Sequence, residues 1–462
     1  MLKFLFAETP PPPAPIDSLP PEILLAIFEL IKPRRRSRYT VPFEVIISHV
    51  CARWRAVALD TPLLWTDIDI YSIRSLERVA CYLERSAPCP VNVRFDIWQL
   101  EKQTTGYATA ILPILDSTIT HIARWRTFLV FAYYQRTSSA ILSKIANLSA
   151  PILERLRVVD DGIGSIEALH DALNNGESNG VECILAGGAP KLASLSMSSI
   201  VYLPLLASVT TLHLHSSPHS FAFRIDFSLM SDLAKACPRL TNLSIHGYFY
   251  GYEESAWPAP GSYQVDMPSL CSLWFINDDS LPVRILTSIS MPKLKSLWLD
   301  CPHNAVSHNL VDFVSGHPLH PFLPSLKHLT LQGFDFYPCA LYAKAFPSIT
   351  ALHLPYCSTF HLPFLKGALN ENDVAWWNLD TLVFRTKRDT HAKKFSKNLE
   401  EIVFERAQRG NPIKRVLLDH DMFSTLYETD TLLVNTRVEE LSPTNYDDPW
   451  WIMVHEDTGD YL

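Results

Sequence analysis

Hydrophobic positions in this chain follow two different periods. Between Pro21 and Leu59 they recur at the three-to-four spacing of helices. Ile23, Leu24, Ile27, Phe28, Leu30 and Ile31 give a first short helix a broad apolar face. It starts at Ser18-Leu19-Pro20-Pro21-Glu22, where proline suits a first turn that has no partner for an N–H, and the Glu22 carboxylate sits at the positive end of the helix dipole. A second run, from about Phe43 to Leu59, puts Ile46, Ile47, Val50, Cys51, Trp54, Val57 and Ala58 on one side and stops at Asp60-Thr61-Pro62. Helices with such faces must bury them, so the pattern predicts a packed helical module.

Further along, the period changes to alternation, and one unit recurs: proline, then leucine, then two apolar positions spaced as in a strand. It reads Pro151 with Leu153, Leu156 and Val158; Pro190 with Leu192, Leu195 and Met197; Pro238 with Leu240, Leu243 and Ile245. Further copies follow Pro268, Pro292, Pro324 and Pro347, and weaker ones lead with Val209, Leu379 and Ile413. From Leu153 to Ile413 there are nine steps over 260 residues, about 29 per repeat. Helix-like stretches such as Phe227 to Ala236, Asn309 to Val314 and Lys394 to Gln408 lie between the strands. The expected architecture is therefore strand plus crossover, stacked into a right-handed solenoid of parallel strands.

Residues 67 to 150 alternate at Trp65 to Ile70 and Val91 to Ile97 around a helix-like Ser75 to Arg85, and read as irregular first repeats or a linker. Residues 421 to 462 follow the last copy, and Trp450 and Trp451 suit a cap over the final apolar layer. Residues 1 to 15, with TPPPPAP, read as a disordered proline-rich lead-in.

In such strands the residues between the leucines point away from the core. That outward set includes His213 and His215, Trp274, Trp298, His328, His353 and Arg385. Trp274 and Trp298 hold the same position in consecutive copies and should lie side by side. As exposed aromatics they would form a binding hot spot; covered by a loop or by the tail, they would be structural. These five, Trp274, Trp298, His328, His353 and Arg385, are the candidate target-binding residues. His213 and His215 have no further ligand at local metal spacing, so a solvated strand face is the expectation there.

Composition narrows the chemistry. With 40 basic and 48 acidic residues the formal charge is −8, which offers no positive field for nucleic acid. Fifteen glycines against 34 prolines disfavour phosphate-cradling loops. The nine cysteines lack C-x-x-C spacing and read as reduced thiols in a cytoplasmic or nuclear protein. No apolar run is long enough to cross a membrane. Gly176-Glu177-Ser178-Asn179-Gly180 matches a hydrolase nucleophile pattern, but a helix end and a polar turn precede it where that motif needs a strand. No catalytic residue, metal site or cofactor is expected.

The order Leu19-Pro20-Pro21-Glu22-Ile23-Leu24, Ile27-Phe28, Val50-Cys51-Ala52-Arg53-Trp54-Arg55 and Pro62-Leu63-Leu64-Trp65 resembles the F-box family. The repeats resemble, less specifically, leucine-rich repeats. The F-box resemblance implies a three-helix module over residues 16 to 66 that packs on a Skp-type adaptor and, through it, joins a cullin-RING scaffold. Leu19, Pro20, Ile23, Ile27, Phe28, Val50, Cys51, Trp54 and Trp65 would form the adaptor surface or its immediate support. One departure is an insert, Lys32 to Arg38, with five positive charges and no acid; it reads as a solvated loop or as a nuclear localisation signal. The expected fold class is thus α/β: a small N-terminal three-helix F-box, then a leucine-rich-repeat-like solenoid over residues 151 to 420 with irregular helical crossovers. The expected function is a non-catalytic substrate receptor of an SCF-type ubiquitin ligase, bringing an unknown protein target. The alternatives are a non-degradative F-box scaffold and, from another class, a serine hydrolase using Ser178.

Overall fold

The computed structural model describes residues 16, 19–33, 40–103, 107–160, 182–198, 202–215, 227–246, 257–258, 262, 264–276, 281–300, 323–332, 342–343, 345–357, 362–363, 365–366, 376–386, 391–428 and 436–442. The lead-in, most of the basic insert, the Ser178 motif, Asn309 to Val314 and the tryptophan pair at 450–451 fall outside the described residues.

Three helices come first: α1 (Pro21–Ile31), α2 (Phe43–Ser48) and α3 (Ala52–Leu59). The periodicity predicts α2 and α3 as one helix, and the structure breaks it. Cys51 adopts an extended backbone and accepts the Trp54 N–H on its sulfur, so it caps a new helix where the apolar pattern runs on uninterrupted. Inside the module Phe28 is fully buried, with the Trp54 ring edge-on at 5.0 Å and Phe43 at 6.4 Å. Arg53 donates to the carbonyl of Leu19. A short turn, Pro62–Trp65, then brings in the Trp65 indole, whose N–H donates to the Ala58 carbonyl at 2.8 Å.

The rest is built on one sheet of 14 parallel strands in strict chain order. They are β1 (Asp67–Ile70), β2 (Val91–Asp96), β3 (Trp125–Phe131), β4 (Arg155–Val159), β5 (Ser194–Met197), β6 (Thr211–His215) and β7 (Asn242–His246). The series continues with β8 (Ser272–Ile276), β9 (Ser296–Asp300), β10 (His328–Gln332), β11 (Ala351–Cys357), β12 (Thr381–Thr386), β13 (Arg415–Leu418) and β14 (Arg437–Glu440). Two short ribbons, Glu182–Cys183 with Tyr202–Leu203 and Val265–Asp266 with Ile289–Ser290, pair outside it. Helices such as Leu76–Arg85 (α4), Gln135–Ile145, Phe227–Ala236 and Ala392–Gln408 occupy connections. The sheet is wider than the proline-leucine motif indicates. It begins at β1, so residues 67 to 150 hold regular parallel strands, and it continues past 420 through β14.

Register explains why the motif tolerates irregular spacing. Leu243 pairs with Leu273, Leu273 with Leu297, Leu297 with Leu329 and Leu329 with Leu352, in a row that runs unbroken from Ile68 to Val438 and is buried as far as Val416. Only the strand must stay in step; the crossover can vary. The proline has its own role, because the N–H of the leucine after it closes a turn onto the residue before it. Leu240 donates to Cys237 at 3.1 Å, Leu270 to Met267 at 3.2 Å, Leu294 to Met291 at 3.0 Å and Leu326 to Leu323 at 3.2 Å. Proline is pre-set for the second position of such a turn. The residue at each strand entry then donates to the previous repeat: Cys271 to Thr241, Lys295 to Cys271, Lys327 to Lys295.

Truncating one member of the row leaves a cavity that the flanking strands cannot collapse into. Leu297→Ala, at a side chain with no exposure, is expected to cost about 2–5 kcal/mol in a denaturant titration. Changing the exposed Lys397 to Ala should stay within about 0.5 kcal/mol.

Candidate functional site

Two surfaces follow from this frame, one on the helices and one on the sheet. On α1 the apolar residues divide between two faces. Leu24 and Phe28 are buried, whereas Ile23, Leu30 and Ile31 are exposed and Ile27 is half-buried between them. Ile23, Ile27, Leu30 and Ile31 follow helical spacing and form a second stripe that nothing in the chain covers among the described residues. Ile46 on α2 and Val50 in the turn before α3 are also exposed. Of the 14 large hydrophobic side chains exposed among the described residues, nine lie between Ile16 and Leu63. That concentration in one small module is what a docking face presents.

The nine predicted adaptor residues therefore take different positions. Pro20, Ile23 and Val50 are exposed, and Leu19, Ile27, Cys51 and Trp54 are half-buried. Phe28 and Trp65, at 0% and 1% exposure, are interior; they hold the face from behind. Leu30, Ile31, Val41, Ile46, Leu59 and Leu63 are exposed apolar positions that the resemblance did not single out. For Leu30 and Ile31 the signal was present in the α1 pattern, which is too apolar for a helix that buries only one side.

The second surface is the side of the sheet away from the leucine row. Here the structure brings aromatic rings into one line across consecutive strands. The His246 and Trp274 ring centres are 4.4 Å apart, Trp274 and Trp298 stack at 4.6 Å with 26° between planes, and Trp298 meets His353 at 5.9 Å across β10. The tryptophans lie side by side as their matching positions predict, in an apolar cluster separate from the main core. They are not open to solvent: Trp274 is 6% exposed, Trp298 2% and His353 fully buried. His328, half-buried, lies two residues before Thr330 and so one row from the line. Arg385, half-buried on β12, has its guanidinium 5.8 Å over the Tyr356 ring.

The histidines of β6 and β7 extend the line, and the expectation of a solvated strand face there is corrected. His213 is buried, with Nδ1 2.6 Å from the Ser244 hydroxyl, and His215 places Nε2 3.0 Å from the Ser196 hydroxyl. Serine on the neighbouring strand fills the space a solvated imidazole would give to water. Those ring nitrogens are engaged by hydroxyls, and no group of three or more His, Cys, Asp or Glu among the described residues is placed to hold a metal. Burial holds His215 and His246 well below the ordinary histidine range, with the His246 and His213 rings and the Arg157 guanidinium adding to it. Burial, then Arg385, brings His353 down to about 3.

The comparisons bear on the first surface. Residues 16–71 match the family model described as F-box-like. No curated protein matches the chain.

A neutral buried imidazole makes stability depend on pH. The unfolded chain takes up a proton near pH 6.5 and the folded His353 does not until about 3, so between those values the unfolded state binds more protons and folding weakens as pH falls. The loss is about 1.4 kcal/mol per pH unit for one such group, and above pH 6.5 it vanishes. Denaturant titrations at pH 7.5 and 5.5 should show His353→Gln losing less stability between the two than the wild type, by about 1.4 kcal/mol.

Proposed function

We propose that this chain, an F-box protein by the domain at residues 16–71, binds a Skp-type adaptor through α1–α3 and serves as a non-catalytic substrate receptor of an SCF-type ubiquitin ligase. The observation that carries this reading is the exposed apolar stripe of α1 together with Ile46 and Val50, set on a module whose interior is held by the buried Phe28 and Trp65. Apolar surface of that extent on so few residues is unfavourable in water, and docking it against a partner lowers the free energy. The adaptor face is accordingly Pro20, Ile23, Ile27, Ile46 and Val50, with Leu19, Cys51 and Trp54 at its edge and Phe28 and Trp65 as its support. Beyond the adaptor, a cullin-RING scaffold supplies the ubiquitin chemistry. The receptor's contribution is to hold a target nearby, which raises the effective concentration of its lysines.

Target recruitment falls to the repeat region. Its site is the sheet face away from the leucine row, where the half-buried His328 and Arg385 flank the closed line of Trp274, Trp298 and His353. The polar pair would make the contacts, and the stacked tryptophans would hold the strands that carry them.

Capture of a purified Skp-type adaptor by the full chain tests the first part. Charged substitutions at exposed positions, Ile23→Glu and Val50→Glu, are expected to weaken capture at least about tenfold, by 1.4 kcal/mol or more, while the melting temperature stays unchanged. Phe28→Ala should instead destabilise the fold by about 3–5 kcal/mol. Wild-type capture by both glutamate variants would exclude this face as the adaptor site. Recovery of the cullin subunit and ubiquitinated proteins with the full chain distinguishes a receptor from a scaffold that binds the adaptor alone.

A further inference from the structure

The family match ends at residue 71, yet the helices it covers do not close their own core. Glu44 on α2 is fully buried, and its carboxylate accepts a 2.5 Å hydrogen bond from the Tyr82 hydroxyl on α4, 38 residues along the chain. The Tyr82 ring packs edge-on against Trp65 at 5.1 Å, and the Arg85 guanidinium lies 4.4 Å over the same indole. Lys32, just after α1, pairs with Asp67 of β1 at 2.7 Å and reaches the Leu64 carbonyl at 3.4 Å. Leu24, Phe28 and Ile47 consequently share one buried cluster with Ile68, Val79, Leu83 and Val93. A buried carboxylate is costly without hydrogen-bond donors, so separating α2 from α4 would take the Tyr82 hydroxyl from Glu44 and uncover Trp65.

We propose that Glu44 and Tyr82 are positioning residues that join α1–α3 to the first two repeats as one cooperative unit, so that adaptor binding on the helices stabilises strands outside the adaptor face. The inference rests on the adaptor reading above. It gives the three helices a second role as the cap over the first open layer of the repeat stack, which a repeat array requires. It also fixes the direction in which the repeats leave the adaptor, since a hinge between Trp65 and β1 would have to break the Glu44–Tyr82 and Lys32–Asp67 contacts together.

A ligand that binds only the folded state slows exchange of every amide that opens with the unit it stabilises. Hydrogen exchange of the full chain therefore reads the coupling in two ways. Without adaptor, Leu83→Ala in α4 should speed exchange in α1–α3 by the same factor as in β2, roughly thirtyfold or more. With a Skp-type adaptor at about 100 times its Kd, exchange in α4 and β2 should slow about 100-fold, as it does in α1–α3. Tyr82→Phe keeps the ring on Trp65 and removes the hydroxyl; it should leave adaptor capture in place and cut the slowing in β2 by about tenfold. Glu44→Gln, which still hydrogen-bonds Tyr82, should retain it. Unchanged exchange in α1–α3 of Leu83→Ala, or adaptor-dependent slowing that stops at Trp65, would overturn the proposal. Failure to capture adaptor at all counts against the function proposed above, and the adaptor-free comparison still decides the coupling.

Discussion

Everything in this structure depends on the in-register pairing of parallel strands that brings one apolar side chain per repeat into a continuous row. A single strand and its crossover cannot bury an apolar face alone. Stacking solves this only if each neighbour presents its own apolar residue at the same height, as Leu243, Leu273, Leu297 and Leu329 do. The backbone enforces that height twice, through the proline turn that starts each strand and through the entry residue that donates to the repeat before it. With strand register held this tightly, crossovers are free to differ: one carries the 17-residue helix Ala392–Gln408 and another the eight-residue helix Leu281–Ser288.

A stack has two ends, and each must be covered. At the first end the cover is the helical module itself: Trp65 sits in the interior, Lys32 reaches β1, and Glu44 finds its donor on α4. A module that ordinarily reads as a separate domain is thereby continuous with the repeats in packing. Among the described residues the outer stripe of α1 stays uncovered, with Ile23 and Leu30 exposed.

The side of the sheet away from the leucines follows a different logic. Its residues are polar or amphipathic, yet the middle strands bury them against one another: serine hydroxyls meet imidazole nitrogens, and two indoles stack between histidines. Protonating His246 or His353 would weaken this packing, because the charge would have to be desolvated beside Arg157 or Arg385. Packing on this face is therefore tied to proton concentration in a way that the leucine row is not.

By itself the sequence determined the two periods, the repeat unit and the residue types of the first module. Those are local properties: helical spacing, alternation and a proline before each strand can be read from neighbours in the chain. The break between α2 and α3 was hidden, because a thiol acting as a cap looks like one more apolar position. The width of the sheet was hidden as well, since β1 to β3 and β14 lack the proline-leucine motif and owe their place to pairing with strands already formed. Trp274 and Trp298 could be predicted as neighbours from equal positions in consecutive copies, but their burial could not, because exposure depends on what the rest of the chain places over a strand face. The pairing of Glu44 with Tyr82 was likewise decided only by the tertiary structure: a carboxylate on an amphipathic helix reads as solvated until a hydroxyl 38 residues away is brought to it.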